Sequence, residues 1–518
     1  MNESVASTRS AAATCGRVAA FGALLAAAAW LWPAGPGVVE AQDSAAGSSA
    51  AAGTEGAAEG DFFVEAVDIN VVNVEVYVTE RDGTRITGLT KDDFILEVDK
   101  TPIAISNFYA VENGRPLGEQ PEIIEAPRPT TEPAAPQRET QKKAAPRPRD
   151  QRLYLVVYVD NFNLLPFSRN KVLRQARSFL RSEVRPGDEV MLVTYDRSLK
   201  VRHPFTKDPE IISSALYELE ELTGHRVHYD SDRRDILKQI YDDAENLYEV
   251  RGRVSQYAES INNDMAFTLD AMREQVDMLA GLPGRKAILY VANGLPMRAG
   301  EDVFYALNDK FQDSTALMDS QRYDLSRRFQ SLIAQANTNR VTFYTVDAAG
   351  LRSYSFMDAS NSTAGGGAQI DQVHFTNLQS PLLFLAEETG GFAVINTNNF
   401  SPGLEKMAQD FDTYYSLGFL PAGGENVGRY HRIKVKLKND RRGVRIRHRE
   451  GYRNKPIGTR MSDTAMAALH FGFQENDLGV EIDKGVETAH ESGQFLVPLV
   501  VKVPIGKLTF LESRETQR

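Results

Sequence analysis

The sequence predicts an α/β fold: a doubly wound, mostly parallel sheet that carries a helical insertion and is flanked by small β modules. Residues 153–159 (LYLVVYV) are seven consecutive apolar residues that stop at Asp160. A run this rich in β-branched and aromatic types fits a strand buried on both faces. Past Pro166, the residues Val172, Leu173, Ala176, Phe179 and Leu180 recur at helical spacing. Similar apolar runs at 188–195 (DEVMLVTY), 286–292 (KAILYVA) and 341–346 (VTFYTV) alternate with helical patterns. That alternation is the mark of parallel strands joined by crossover helices, whose ligands gather at the carboxyl ends of the strands.

Bulk properties bound the function. The chain has 518 residues, 42% of them hydrophobic, enough for one large core and a smaller one. Its formal net charge of -11 argues against general nucleic-acid binding, which needs a basic face. The one cysteine, Cys15, lies in a segment expected to be removed, so the mature chain has no disulfide framework and no thiolate ligand or nucleophile. Residues 1–41 read as a signal peptide. Arg9 and Arg17 precede an apolar run from Val18 to Trp32, then Pro33, Gly35 and Pro36 break it before a cleavage point after Ala41. The run is short for a bilayer span. The expectation is an exported protein, periplasmic or extracellular, with no transmembrane span in the mature chain; an uncleaved anchor is the alternative.

In order along the chain, 42–61 is an Ala, Gly and Ser linker. A small β module follows at 62–113. Val72, Val74, Val76 and Val78 alternate there with polar residues, and Thr90 with Asp93 forms a capping-box pattern. Residues 114–150 are a Pro-rich linker. The α/β domain spans 151–422, with a short polar strand at Leu199–Phe205 expected as an antiparallel neighbour. Helices are expected at 208–222, 323–336 and 382–389, with a final strand at 392–395. Within the domain, 230–280 is a helical insertion in which Ile236, Ile240, Ala244, Leu247, Val250 and Val254 begin a stripe that runs to Leu279 at spacings of three and four. One long helix and a hairpin folding back near Gly252 both fit. The stripe packs on the protein itself or serves as a dimerising or partner-binding face. Residues 423–455 read as a basic β-hairpin, Ile433, Val435 and Leu437 facing one way and a row of Lys and Arg the other. The tail, 456–518, holds strand-like runs at 495–503 and 507–510 that are expected to join another sheet.

These segments resemble a known family. The apolar strand ending in Asp160, with 188–195 and 286–294, is similar to a von Willebrand factor type A domain. Residues 72–94 (VNVEVYVTERDGTRITGLTKDDF) and 414–452 resemble the flanks of the bacterial VWFA-related domain family first described from acidobacteria. The resemblance covers roughly 62–455. It implies a metal-ion-dependent adhesion site above the sheet, with Asp-x-Ser-x-Ser in a first loop, Thr in a second and Asp in a third. Asp160 matches the first position. The two serine positions hold Phe162 and Leu164, Thr223 stands in the second loop, and Asn293 replaces the third-loop Asp.

The expected site is therefore degenerate. Asp160, Asn161, Asn163, Thr223 and Asn293 form its rim, and Asp160 with Asn293 are the candidate ligands for Mg²⁺ or another divalent cation. Hard cations want several oxygen ligands, and neutral amides are weak substitutes for carboxylates. The competing reading has Asp160 accepting N–H bonds at the start of the next helix. No nucleophile elbow, phosphate loop, dinucleotide fingerprint or His-Glu-x-x-His motif is present. The expected function is a non-enzymatic, adhesion-like module that binds an unidentified protein or envelope partner through its top loops. The alternative is a metal-free scaffold that uses the long helices and β flanks. A hydrolase using Asp160 as acid or base comes third.

Overall fold

The computed structural model describes residues 71–117, 151–222, 226–352, 367–421, 428–439, 443–472, 476, 478–489 and 495–507. The expected signal peptide, the Ala-rich linker, Thr223 and nearly all of the Pro-rich linker lie outside these residues.

Five strands come first: β1 (Val72–Thr79), β2 (Phe94–Val98), β3 (Thr101–Ile103), β4 (Asn107–Glu112) and β5 (Arg115–Leu117). The α/β layer then runs β6 (Leu153–Asp160), α1 (Pro166–Glu183), β7 (Glu189–Tyr195), β8 (Leu199–Thr206), α2 (Pro209–Glu218), α3 (Arg226–Lys238), α4 (Leu247–Met278) and β9 (Arg285–Ala292). It continues through α5 (Glu301–Phe311), α6 (Thr315–Ser320), α7 (Ser326–Thr338), β10 (Val341–Asp347), α8 (Gly367–Glu388), β11 (Ala393–Val394) and α9 (Ser401–Asp412). After it come β12 (Tyr414–Phe419), β13 (Tyr430–Leu437), β14 (Arg445–Arg447), β15 (Gly451–Arg453), α10 (Ile457–Phe471) and four short strands, β16 (Glu481–Lys484), β17 (Thr488–Ala489), β18 (Phe495–Leu496) and β19 (Leu499–Lys502).

The central sheet has six strands in the order β11-β10-β9-β6-β7-β8. All neighbours are parallel except β7 and β8. Strand β6 is buried at every position because helices cover both faces. Its alternate side chains serve two cores. Tyr154, Val156 and Tyr158 pack with α4, α7 and α8, whereas Leu155, Val157 and Val159 pack with α1, α2 and α9. The order of strands reverses between β6 and β9, and the crevice that ligands use in such sheets opens at that point.

The insertion is broken, though not at Gly252. Helix α3 passes into a π turn at Gln239–Asp243, the chain leaves helical geometry at Ala244, and Asn246 caps α4 by accepting from the Tyr248 N–H. Gly252 is tolerated inside α4 because one glycine costs a helix only about 1 kcal/mol, less than a lost cap and turn. The apolar stripe is buried within the chain. Its upper part packs on α5, and its lower part enters the core beneath the sheet.

Two expectations about the flanks are corrected. The residues read as one basic hairpin separate: β13 pairs with β2 and β15, whereas β14 pairs with β1. The N-terminal strands and the strands after α9 interleave into a five-stranded sheet, β14-β1-β12-β4-β5, and a four-stranded one, β15-β13-β2-β3, around one core. The tail strands pair only with each other among the described residues, β16 with β19 and β17 with β18. Thr90 and Asp93 do form the capping box, the Asp93 Oδ2 accepting the Thr90 N–H at 2.8 Å.

The β sheets are fixed beneath the parallel sheet through Asp410, which is fully buried on α9. Its carboxylate accepts two bonds from the Arg447 guanidinium at 2.7 and 2.9 Å, one from Tyr344 Oη at 3.1 Å, and one from Arg85. Arg285 adds a second tie. It donates to Tyr77 Oη at 2.8 Å and to the Phe411 carbonyl at 3.0 Å, and lies 4.0 Å over the Tyr414 ring. Buried charges of this kind are tolerated only when paired and hydrogen-bonded.

Candidate functional site

The crevice at the carboxyl ends of the strands is built from the ends of β6, β9 and β10. Strand β6 delivers Asp160, β9 leads into Asn293, and β10 delivers Asp347; all three side chains are buried. Gly294 makes the turn after β9 feasible. It sits at φ +95°, and a Cβ there would meet Leu378 Cβ at 2.8 Å. The turn is then held by the Leu295 N–H, which donates to the Leu378 carbonyl at 3.0 Å.

Asp160 is enclosed by donors. Oδ1 accepts the Asn163 N–H at 3.0 Å, Oδ2 accepts Asn163 Nδ2 at 2.9 Å, and Tyr290 Oη also donates to Oδ2. Asn163 Nδ2 lies 3.5 Å from Thr268 Oγ1 on α4, so the insertion reaches this network. Burial pushes the Asp160 carboxyl up to about 6, against the opposing pull of the Tyr290 and Asn163 hydrogen bonds.

Of the expected rim, Asp160, Asn163 and Asn293 come together: the Asn293 N–H donates to the Asn163 carbonyl at 3.0 Å. Asn161 serves a different purpose. Its Oδ1 accepts from Arg169, which is fully buried on α1 and also donates to the carbonyls of Glu220 and Leu222 at 3.1 and 2.7 Å. Asn161 thereby ties the β6 loop to the chain that follows α2.

Five participants were not identified from sequence. Tyr290 and Thr268 reach the site only through strand pairing and helix docking, which no local pattern reveals. Asp347 had a visible signal, since 341–347 (VTFYTVD) ends in a carboxylate just as β6 does. Arg352 lies in the loop after β10. Its guanidinium donates to both Asp347 oxygens, at 2.9 Å each from Nη2, and to the Asn293 carbonyl at 2.9 Å. Gln379 Nε2 adds a bond to Asp347 Oδ2 at 3.0 Å. A guanidinium thus bridges the ends of β9 and β10 and neutralises Asp347 from within the protein.

As packed, Asp160 and Asn293 present no open shell of oxygen ligands to a divalent cation. Phe162 and Leu164, at the serine positions, are buried in the cores on opposite faces of the sheet. The Asp160 oxygens already accept three donors, and the Asn293 side chain is engaged with the Leu165 N–H at 3.5 Å and Ser168 Oγ at 3.4 Å. A hard cation needs oxygen ligands free to turn toward it. Among the described residues, no group of three or more His, Cys, Asp or Glu side chains is placed to hold a metal ion.

What the crevice does present is apolar surface. Phe167, at the start of α1, is 82% exposed, and Leu351, beside Arg352, is 64% exposed. Asn293 links the start of α1 to the loop after β10, since its side chain holds Leu165 and Ser168 while its carbonyl holds Arg352.

No protein-family model matches the chain, and no curated protein matches it. Solved structures do show likeness. An aerotolerance-related membrane protein from Bacteroides fragilis is 9% identical, with 50% of this chain and 98% of that one covered and a TM-score of 0.24. A von Willebrand factor type A protein from Catenulispora acidiphila is 8% identical over 60% of this chain and 68% of that one, with a TM-score of 0.24. The manganese-loaded TRAP protein of Plasmodium vivax is 8% identical over 59% and 95%, with a TM-score of 0.22. Likeness at this level assigns no function.

Proposed function

We propose that this chain is an exported, non-enzymatic protein-interaction module of the type A class, with β flanks of the VWFA-related kind, whose contact surface is the loops at the carboxyl end of the parallel sheet. The observation that supports it is the pair of exposed apolar side chains, Phe167 in the first turn of α1 and Leu351 in the loop after β10, on segments cross-tied through Asn293 and Arg352. Large apolar side chains on a rigid rim are suited to anchoring a protein partner. The surface works without a cation, because Arg352 and Tyr290 do internally what a metal would do for the two carboxylates. A hydrolytic role for Asp160 is disfavoured, since a carboxylate with no exposed surface cannot reach a substrate as packed. Export follows from reading 1–41 as a signal. Among the described residues, no helix is long and apolar enough to cross a membrane.

The scaffold reading places the contacts on the long helix, where Tyr248 is 88% exposed. Photo-crosslinking from position 167 and from position 248, in extracts of the source cell envelope, separates the two. Saturable crosslinks from 167 that disappear in Leu351→Asp support the rim. Crosslinks from 248 alone would replace the rim with the scaffold.

A further inference from the structure

On the flank of the sheet a groove runs between α1 and α2. The groove has a volume of about 860 Å³, within the size range of ligand clefts. Along α1, Arg174, Arg177, Ser178, Arg181 and Ser182 line it; α2 contributes Ser213, Ser214, Tyr217 and one acidic side chain, Glu218. At 1.5 Å per residue, Arg174 and Arg181 stand about 10 Å apart along one helix face. The cationic row stands out on a chain of net charge -11.

The arginines are unequally engaged. Arg177 pairs with Glu220 at 2.8 Å and lies 5.0 Å over the Tyr217 ring, which holds that ring at the groove edge, 62% exposed. Arg181 pairs with Glu210 at 3.0 Å, with both side chains more than half exposed, a contact worth little in water. Arg174 makes no ion pair or hydrogen bond among the described residues. Ser213 is 1% exposed, and its hydroxyl has no hydrogen-bond partner among the described residues.

We infer that the α1–α2 groove binds a segment of acidic polysaccharide. Guanidinium forks match carboxylates in geometry and charge. The serine hydroxyls match sugar hydroxyls, and the exposed face of Tyr217 matches the apolar face of a pyranose ring. The lining contains no aliphatic pocket and no open strand edge, the features that peptide recognition uses. The groove lies along the flank of α1, so its occupancy is independent of the rim at Phe167.

The test is calorimetric titration of the full mature chain with oligogalacturonate, alongside a neutral galactan oligomer and poly-L-glutamate. Saturable binding of oligogalacturonate is expected, weakening as salt is raised, with no heat from the neutral oligomer. The Arg174→Ala/Arg181→Ala variant is expected to lose affinity by about tenfold or more while its thermal midpoint stays unchanged, and Tyr217→Ala is expected to weaken the sugar but not the polypeptide. Absence of saturable binding to the native chain, equal affinity for poly-L-glutamate, or an unaltered affinity in the double variant would overturn the proposal.

Discussion

Tyr290, on the strand beside β6, donates its hydroxyl hydrogen to Oδ2 of Asp160 across the point where the strand order reverses. With Asn163 on both carboxylate oxygens, this bond makes the Asp160 carboxylate a closed element of the core.

The closure sets a pH dependence. The Asp160 carboxyl titrates near 6 in the folded chain and near its ordinary 3.8 when unfolded. Between those values the folded state binds more protons, so this group favours folding below about pH 4 and loses that contribution as pH rises through 6. The difference in unfolding free energy between the native chain and Asp160→Asn should change by up to about 3 kcal/mol across that window. Urea unfolding at closely spaced pH values measures it; a flat difference would count against a buried, donor-enclosed carboxylate.

Removing the tyrosine hydroxyl should act in the same direction. Tyr290→Phe takes away a bond that opposes the upward shift, so Asp160 should titrate above 6 in that variant. The stability cost should be roughly 1.5–3 kcal/mol where Asp160 is ionised, in the range for bonds to charged groups, and smaller at pH 4. Equal cost at both pH values would show that the hydroxyl acts by packing alone.

Arg352 is the counterpart at β10. Arg352→Ala leaves Asp347 buried without its guanidinium, and the expected loss is about 3–5 kcal/mol. Arg352→Lys should recover only part of it, because an ammonium can replace Nη2, which reaches both Asp347 oxygens and the Asn293 carbonyl, but not also Nε, which donates to Asp347 Oδ2 at 3.2 Å. Full rescue by lysine, read from denaturation midpoints, would reduce the bridge to simple charge balance.

At the opposite end of the sheet, Asp410→Ala would leave Arg447 and Arg85 facing a void. A loss of about 3–5 kcal/mol is expected, with the β sheets losing hydrogen-exchange protection before β6 and β9. Uniform loss of protection would mean that the β strands and the parallel sheet unfold as one unit.

What the sequence revealed follows from the range over which each signal acts. The run 153–159 ending at Asp160 was legible because burial on both faces writes itself into consecutive residues. The pairing of β1 with β12, more than 300 residues apart, was not, since alternation shows that a strand has a buried face without showing which strand it meets. The hairpin reading of 433–447 failed for the same reason: the turn was visible, but the change of sheet across it was not. Helix α8 runs on both sides of Pro381, whereas the sequence reading began it at Leu382. At the site, the missing serines were plain in Phe162 and Leu164. Their consequence needed the partners Tyr290 and Arg352, which arrive from β9 and from the loop after β10.

The most direct test is thermal unfolding of the mature chain in EDTA and in millimolar Mg²⁺, Mn²⁺ and Ca²⁺, repeated on Asp160→Ala. A cation that binds the folded state must raise its midpoint by mass action. The account predicts the same midpoint in EDTA and in all three metals. A saturable rise that is lost in Asp160→Ala would contradict it and restore a metal-dependent mechanism of adhesion.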